Sequence, residues 1–161
     1  MPLDASFVGR TWPAETYEVS LEKIREFATA VGADDPVHHD RAAARAAGHP
    51  DVVAPMTFPV VFTWPATRRV VDDPALGLDF SRVVHRDQAV EVERPVHAGD
   101  VVTTVVAVDD IRDLAGNDVI TFRCDVTDAD GEDVLTTRAT LVGRAEPAEP
   151  SEPSEPSGSD A

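Results

Sequence analysis

Met56-Thr57-Phe58-Pro59-Val60-Val61-Phe62-Thr63-Trp64-Pro65-Ala66-Thr67 is the stretch on which the fold turns. It is apolar on nearly every side, and a helix of that kind must be surrounded by protein. Pro59 fits a first turn, whereas Pro65 falls in the interior and is expected to kink or shorten the helix. Downstream of Asp79 the apolar period changes to two. Val83 to Arg94, Val101 to Arg112, Asp118 to Asp128 and Asp133 to Gly143 read as strands, with Ala115-Gly116-Asn117 and Asp128-Ala129-Asp130-Gly131 as turns between the last three. Upstream, Ser20 is placed to cap a helix with Glu22 in its first turn and Gly32 just past its end. Ile24, Phe27, Ala28 and Val31 recur on one face of it. A shorter helix runs from Arg41 to Ala47, capped by Asp40 and stopped by Gly48.

A long apolar helix followed by an antiparallel meander asks for a curved sheet wrapped around that helix. This is the hotdog architecture, an α+β fold in one domain over residues 1–144. A first strand from the Thr11 to Val19 region would complete the sheet, although Pro13 weakens it. A lone sheet of this kind leaves an edge or face for a second copy, so a homodimer or heterodimer is expected. Residues 145–161 contain Glu-Pro-Ser repeats and no apolar residue larger than Ala or Pro, the composition of a disordered acidic tail.

Of the formal charge of −16, that tail supplies five negative charges, and the body still carries about −11. A body this acidic lacks the basic patch that nucleic-acid binding depends on. No run approaches the roughly 18 apolar residues that span a bilayer, and the first residues carry no basic segment before an apolar one, so a soluble, cytoplasmic protein is expected. The single cysteine, Cys124, sits in an alternating stretch and reads as a small buried apolar residue.

Two further stretches carry a resemblance. Gly32-Ala33-Asp34-Asp35-Pro36-Val37-His38, with Ala44 six positions after His38, resembles the Gly-Asp-x-Asn-Pro-(aliphatic)-His motif of MaoC-like (3R)-hydroxyacyl-thioester hydratases and dehydratases. Arg94-Pro95-Val96-His97-Ala98-Gly99-Asp100 looks like that family's Arg-Pro-Val-x-x-Gly-Asp turn. The resemblance runs from about Phe7 to Gly143 and implies a hydro-lyase that needs no metal or other cofactor. Adding or removing water across C2 and C3 of a thioester takes an acid and a base on one side of the substrate, and a donor for the thioester oxygen as it gains enolate charge.

The frame is kept while the chemistry departs from it. His38 takes the family's catalytic histidine position, but the catalytic aspartate position is Ala33. Asp34 and His39 have the required separation and form an alternative pair if the loop slips by one residue. Before the long helix, active members carry a segment like Ile-Ala-His-Gly-Met, whose glycine N–H polarises the thioester carbonyl. Here it reads Val52-Val53-Ala54-Pro55-Met56, and proline has no N–H to donate. Losing one such donor costs about 10²- to 10³-fold in rate.

Phe7-Val8-Gly9-Arg10, Glu22 to Ala28, Ala54-Pro55-x-Thr57-Phe58, the Asp87-Gln88 pair and Thr140 to Arg144 resemble the HadA-type partner subunits of heterodimeric (3R)-hydroxyacyl-ACP dehydratases. That resemblance implies a chain that lines the groove for the acyl tail while a second hotdog subunit supplies the Asp and His, in fatty-acyl elongation on an acyl carrier protein or CoA. His38 departs from the subgroup, where an aromatic such as Tyr is common. The candidate catalytic residues are therefore His38, Asp34 and His39. Pro55, Met56, Thr57 and His85 are candidates for substrate contact, although His85 also reads as a polar residue on a solvent face. His38-His39-Asp40 lacks a third ligand at suitable spacing, so no metal site is expected, and Asp40 is accounted for as a helix cap. Two alternatives stay open: a homodimeric enoyl-thioester hydratase active on its own, and an acyl-thioester-binding hotdog protein that is not an enzyme.

Overall fold

The computed structural model describes residues 3–144, so the tail assigned to residues 145–161 lies outside the described part. Local signals set most of the elements. The first helix, α1, is Leu21–Val31, with the Ser20 hydroxyl accepting from the Lys23 N–H and Gly32 closing the helix in the left-handed region at φ 71°. Ile24 and Ala28 are buried from it, whereas Val31, expected on the same face, is 52% exposed in the last turn. Helix α2 is Arg41–Ala46, with Asp40 accepting from the Ala43 N–H. The strands are β1 Glu15–Glu18, β2 Val83–Val92, β3 Val101–Leu114, β4 Asn117–Thr127 and β5 Asp133–Gly143. They form one antiparallel sheet in the order β1-β3-β4-β5-β2. β1 and β2 are therefore the two edges. Thr11 reaches Ala107 only as an isolated bridge, so the first strand is shorter than the Thr11 to Val19 region, in keeping with Pro13.

The β3–β4 hairpin closes through Ala115 and Gly116, both at positive φ (53° and 82°), with Leu114 facing Asn117. Two successive positive-φ residues match the twist of a two-residue hairpin. The Gly is free to adopt this conformation, and the Ala is held there against its Cβ.

The apolar helix, α3, is Val60–Val71 and lies against β3 and β4. It starts four residues into the apolar run, with Pro59 as its N-cap, close to the first-turn place read for Pro59 from the sequence. Met56 to Pro59 instead form turns, with the Phe58 N–H bonded to the Pro55 carbonyl. Pro65 does not shorten the helix, which continues to Val71. The Thr63 and Thr67 hydroxyls donate back to the Pro59 and Thr63 carbonyls, so these buried polar groups are satisfied within the helix itself.

Ala66 and Val70 pack with Val106, Ile120, Phe122 and Leu141 at one end of the sheet, and Phe58 and Phe62 pack with Ile24, Val102, Val126 and Leu135 at the other. Cys124 lies beneath α3, 3.4 Å from the Thr67 hydroxyl, and burial pushes its thiol up. The apolar stretch departs from the expectation of burial all round: Val60, at the start of α3, is 48% exposed and Met56, in the turn before it, 72%. No helix among the described residues is long and apolar enough to cross a membrane.

Candidate active-site pocket

The loop between α1 and α2 is braced at both ends. Asp35 accepts from the Val37 N–H at 3.0 Å, and Pro36 opens a short 3-10 turn, Pro36–His38. The Val37 carbonyl accepts from the Val53 N–H at 3.0 Å, and the His38 Nδ1 lies 2.7 Å from the Val53 carbonyl. A carbonyl can only accept, so Nδ1 carries a hydrogen, and in the neutral ring the lone pair is therefore on Nε2. The backbone of residues 52–54 thereby sets both the place and the tautomer of this imidazole.

His38 lines a cavity of about 320 Å³, together with Val53, Ala54, Pro55, Met56 and Pro59 on one side and Val92, Arg94, Pro95, Val96 and Leu135 on the other. That volume is at the small end of sites for metabolite-sized ligands, and its wall is mainly apolar. Its ionisable lining residues are His38 and Arg94. Arg94 is already paired, donating to Asp100 at 2.8 Å and to Asp128 at 3.2 Å. Backbone N–H groups, that of Glu132 foremost, hold the Asp128 carboxyl below its ordinary value. The wall thus offers one imidazole nitrogen for proton transfer, an apolar surface for a hydrocarbon, and a proline at the mouth of α3.

Of the residues singled out in the sequence, the fold brings His38, Pro55 and Met56 together here. Thr57 is exposed in the turn beside them and does not line the cavity. The His39 Nε2 lies 2.8 Å from the Ala33 carbonyl, which ties that ring back to its own loop. Asp34 is exposed and makes no hydrogen bond to a described residue, so the alternative pair is not assembled in this cavity. His85 belongs to a second groove of about 360 Å³ with Val60, Trp64, Phe80, Val83, Gln88 and Leu141. Among the described residues no group of three or more His, Cys, Asp and Glu is placed to hold a metal.

Sequence reasoning missed Arg94, Val92 and Leu135 as lining residues. Arg94 had a signal, because it opens the Arg-Pro-Val-x-x-Gly-Asp turn. The other two look like ordinary strand residues until β2 and β5 are paired.

Residues 6–137 match the model of the FAS1-like, dehydratase domain region family. A UPF0336 protein of Saccharopolyspora erythraea is 53% identical over 145 residues, covering 89% of this chain and 93% of the relative. Among solved structures, a MaoC-like dehydratase superposes with a TM-score of 0.81 at 36% identity over 87% of this chain. The match spans 43% of that dehydratase chain, less than half its length. The HadBC (3R-hydroxyacyl-ACP dehydratase) complex of Mycobacterium tuberculosis superposes with a TM-score of 0.77 at 29% identity, over 85% of this chain and 97% of the matched one.

Proposed function

This chain belongs to the FAS1-like dehydratase-region family, within the MaoC-like hotdog dehydratases and hydratases, and from that premise we propose that it is the acyl-chain-binding subunit of a (3R)-hydroxyacyl-thioester dehydratase in fatty-acyl elongation. The observation that carries this reading is the pocket wall, an apolar cavity in which His38 is the one group suited to proton transfer among the described residues; the motif resemblance adds that Ala33 stands at the family's carboxylate position and Pro55 at its N–H donor position. The reaction moves a proton at C2 and another onto the departing C3 oxygen. One imidazole lone pair serves one of these at a time, and the second needs a further group.

A second hotdog chain would supply that group. The HadBC match is to a complex of two such subunits, which supports a partner of the same fold. The edge position of β2 among the described strands supports it as well, because the His38 cavity reaches Val92 and the second groove reaches Val83, His85 and Gln88, all on β2. A thioester held between two chains would have its acyl tail against the apolar wall of this one. The thioester's carrier would be an acyl carrier protein or CoA.

His38 itself favours a second reading, a homodimeric hydratase active without a partner, because its Nδ1–H is anchored and its Nε2 is left for a substrate proton. The two readings separate on one measurement. The full-length chain is purified alone and then with its partner hotdog subunit, and hydration of a trans-2-enoyl-CoA is followed by loss of the conjugated thioester absorbance. Turnover only in the mixture supports the subunit reading. Robust turnover by the chain alone, lost in His38→Ala, overturns it.

A further inference from the structure

The segment that orients His38 is paired on its other side with a stretch of backbone that carries a further histidine, His97. Residues 52–54 pair antiparallel with residues 96–98: the Ala54 N–H donates to the Val96 carbonyl at 2.8 Å, and the Ala98 N–H to the Val52 carbonyl at 2.9 Å. His97 stands directly across from Val53, whose carbonyl accepts from His38. Its Nε2 lies 3.3 Å from the Nδ1 of His49, with the ring centroids 5.4 Å apart. His49 sits in the turn after α2, where its own N–H is bonded to the Ala44 carbonyl. The two rings thus connect the segment after α2 to the Arg94–Asp100 turn, whose residues 96–98 pair with the strap that sets His38.

A bond between two imidazoles needs one nitrogen with its hydrogen and one with its lone pair. We propose that the His49–His97 pair is an acid-sensitive latch on this strap, closed when the rings share one inner hydrogen and open when both inner nitrogens are protonated. In the fully protonated pair two N–H donors and two positive charges face each other at 3.3 Å, and the bond becomes a repulsion.

The surroundings set the direction. Burial is the main influence on His97 and pushes it below its ordinary value of 6.5; His49 and Arg94 push the same way, while Asp100 and Asp51 oppose them. Asp100 is occupied by Arg94 and by the His97 N–H, and Asp51 by Arg41 and the Val52 N–H, with Arg45 nearby. Neither carboxylate is therefore free to take over a doubly charged pair. His97 keeps its neutral form to a lower pH when folded than when unfolded. Its contribution to stability is full above its unfolded value and is lost as the pH falls through the lower folded value.

Opening would slacken residues 52–54 and release the Val53 carbonyl from its place beside His38. The expected consequence is local. Amide hydrogen exchange in the full-length chain, corrected for the intrinsic pH dependence, should accelerate several-fold at Val53, Ala54 and Ala98 between pH 7.5 and 5, while the β3–β4 amides at Val106 and Phe122 stay protected. In the His49→Gln and His97→Gln variants, whose amides hydrogen-bond without titrating, that pH dependence should vanish. Imidazole nitrogen shifts provide a check that needs no variant: the two rings should titrate in coupled steps. Unchanged strap protection across this range, the same pH response in both Gln variants, or independent single titrations of the rings would each overturn the proposal. None of these readouts depends on catalytic activity, so the latch and the subunit reading stand or fall separately.

Discussion

The two sides of α3 make opposite use of similar side chains. Toward the sheet, Phe62 and Val70 are nearly or fully buried, and Phe62 meets Tyr17 with ring centroids 5.6 Å apart and Phe58 at 6.3 Å. Toward β2, Val60 stays 48% exposed, and Trp64 and Phe80 form the open wall of a groove. The sheet edges repeat the contrast. β1 is four residues long, carries Glu15 and Glu18, and has Arg69 bound to Glu15 at 2.6 Å. β2 also carries charge, at Arg86, Asp87 and Glu91, but it is ten residues long and leaves Val84 and Val92 exposed. Short, charged strands are how proteins close an edge, whereas a long edge beside an apolar flank is a surface that another chain can cover. The sheet-facing side of α3 holds the monomer together, and the β2-facing side is where the proposed partner would sit.

The largest effect should follow from emptying the buried side. Phe62→Ala should destabilise the chain by about 3–5 kcal/mol, read as a lower denaturant midpoint at unchanged slope. A loss under about 1 kcal/mol would mean that Phe62 is not core. Val60→Glu tests the other side. It should leave the thermal midpoint of the separated chain nearly unchanged, as surface substitutions do, and weaken assembly by roughly 100-fold in equilibrium sedimentation, the penalty for burying an unpaired charge in an interface. The converse pattern, a destabilised monomer with intact assembly, would break the comparison.

His38→Gln sharpens it chemically. If the partner holds the main proton-transfer pair, the assembled enzyme should keep kcat within about tenfold, whereas a loss of 10²- to 10⁴-fold would make this chain the catalyst. The smallest effect lies far from both flanks. Ala115→Asn should raise stability by about 0.5–1 kcal/mol in chemical unfolding, because Asn tolerates the positive φ that Ala115 adopts.

Much of the frame was legible residue by residue. Ser20 and Gly32 mark the ends of α1, Asp40 the start of α2, and the alternation from Asp133 to Gly143 coincides with β5. These are signals carried within a few residues, by caps and by the periods of helix and strand. The start of α3 was legible in Pro59, read as a first-turn residue and found as the N-cap, whereas the apolar run itself reaches back to Met56 and so gives no boundary. The candidate site was half legible. The motif frame located His38, Pro55 and Met56, but Val92 and Leu135 entered the cavity wall only through the pairing of β2 and β5, and nothing in the sequence sets His49 beside His97.

By itself, then, the sequence determined a hotdog domain, since helix and strand periods and caps are local, and its resemblance to the hydratases implied an alanine in place of the carboxylate and a proline in place of the N–H donor. Tertiary structure alone decided which nitrogen of His38 is free, that His49 and His97 meet, and which flank of α3 stays open. Those depend on contacts between residues 15 and 48 positions apart and on which strand lies at the edge, and a local pattern of apolar and polar residues carries no record of either.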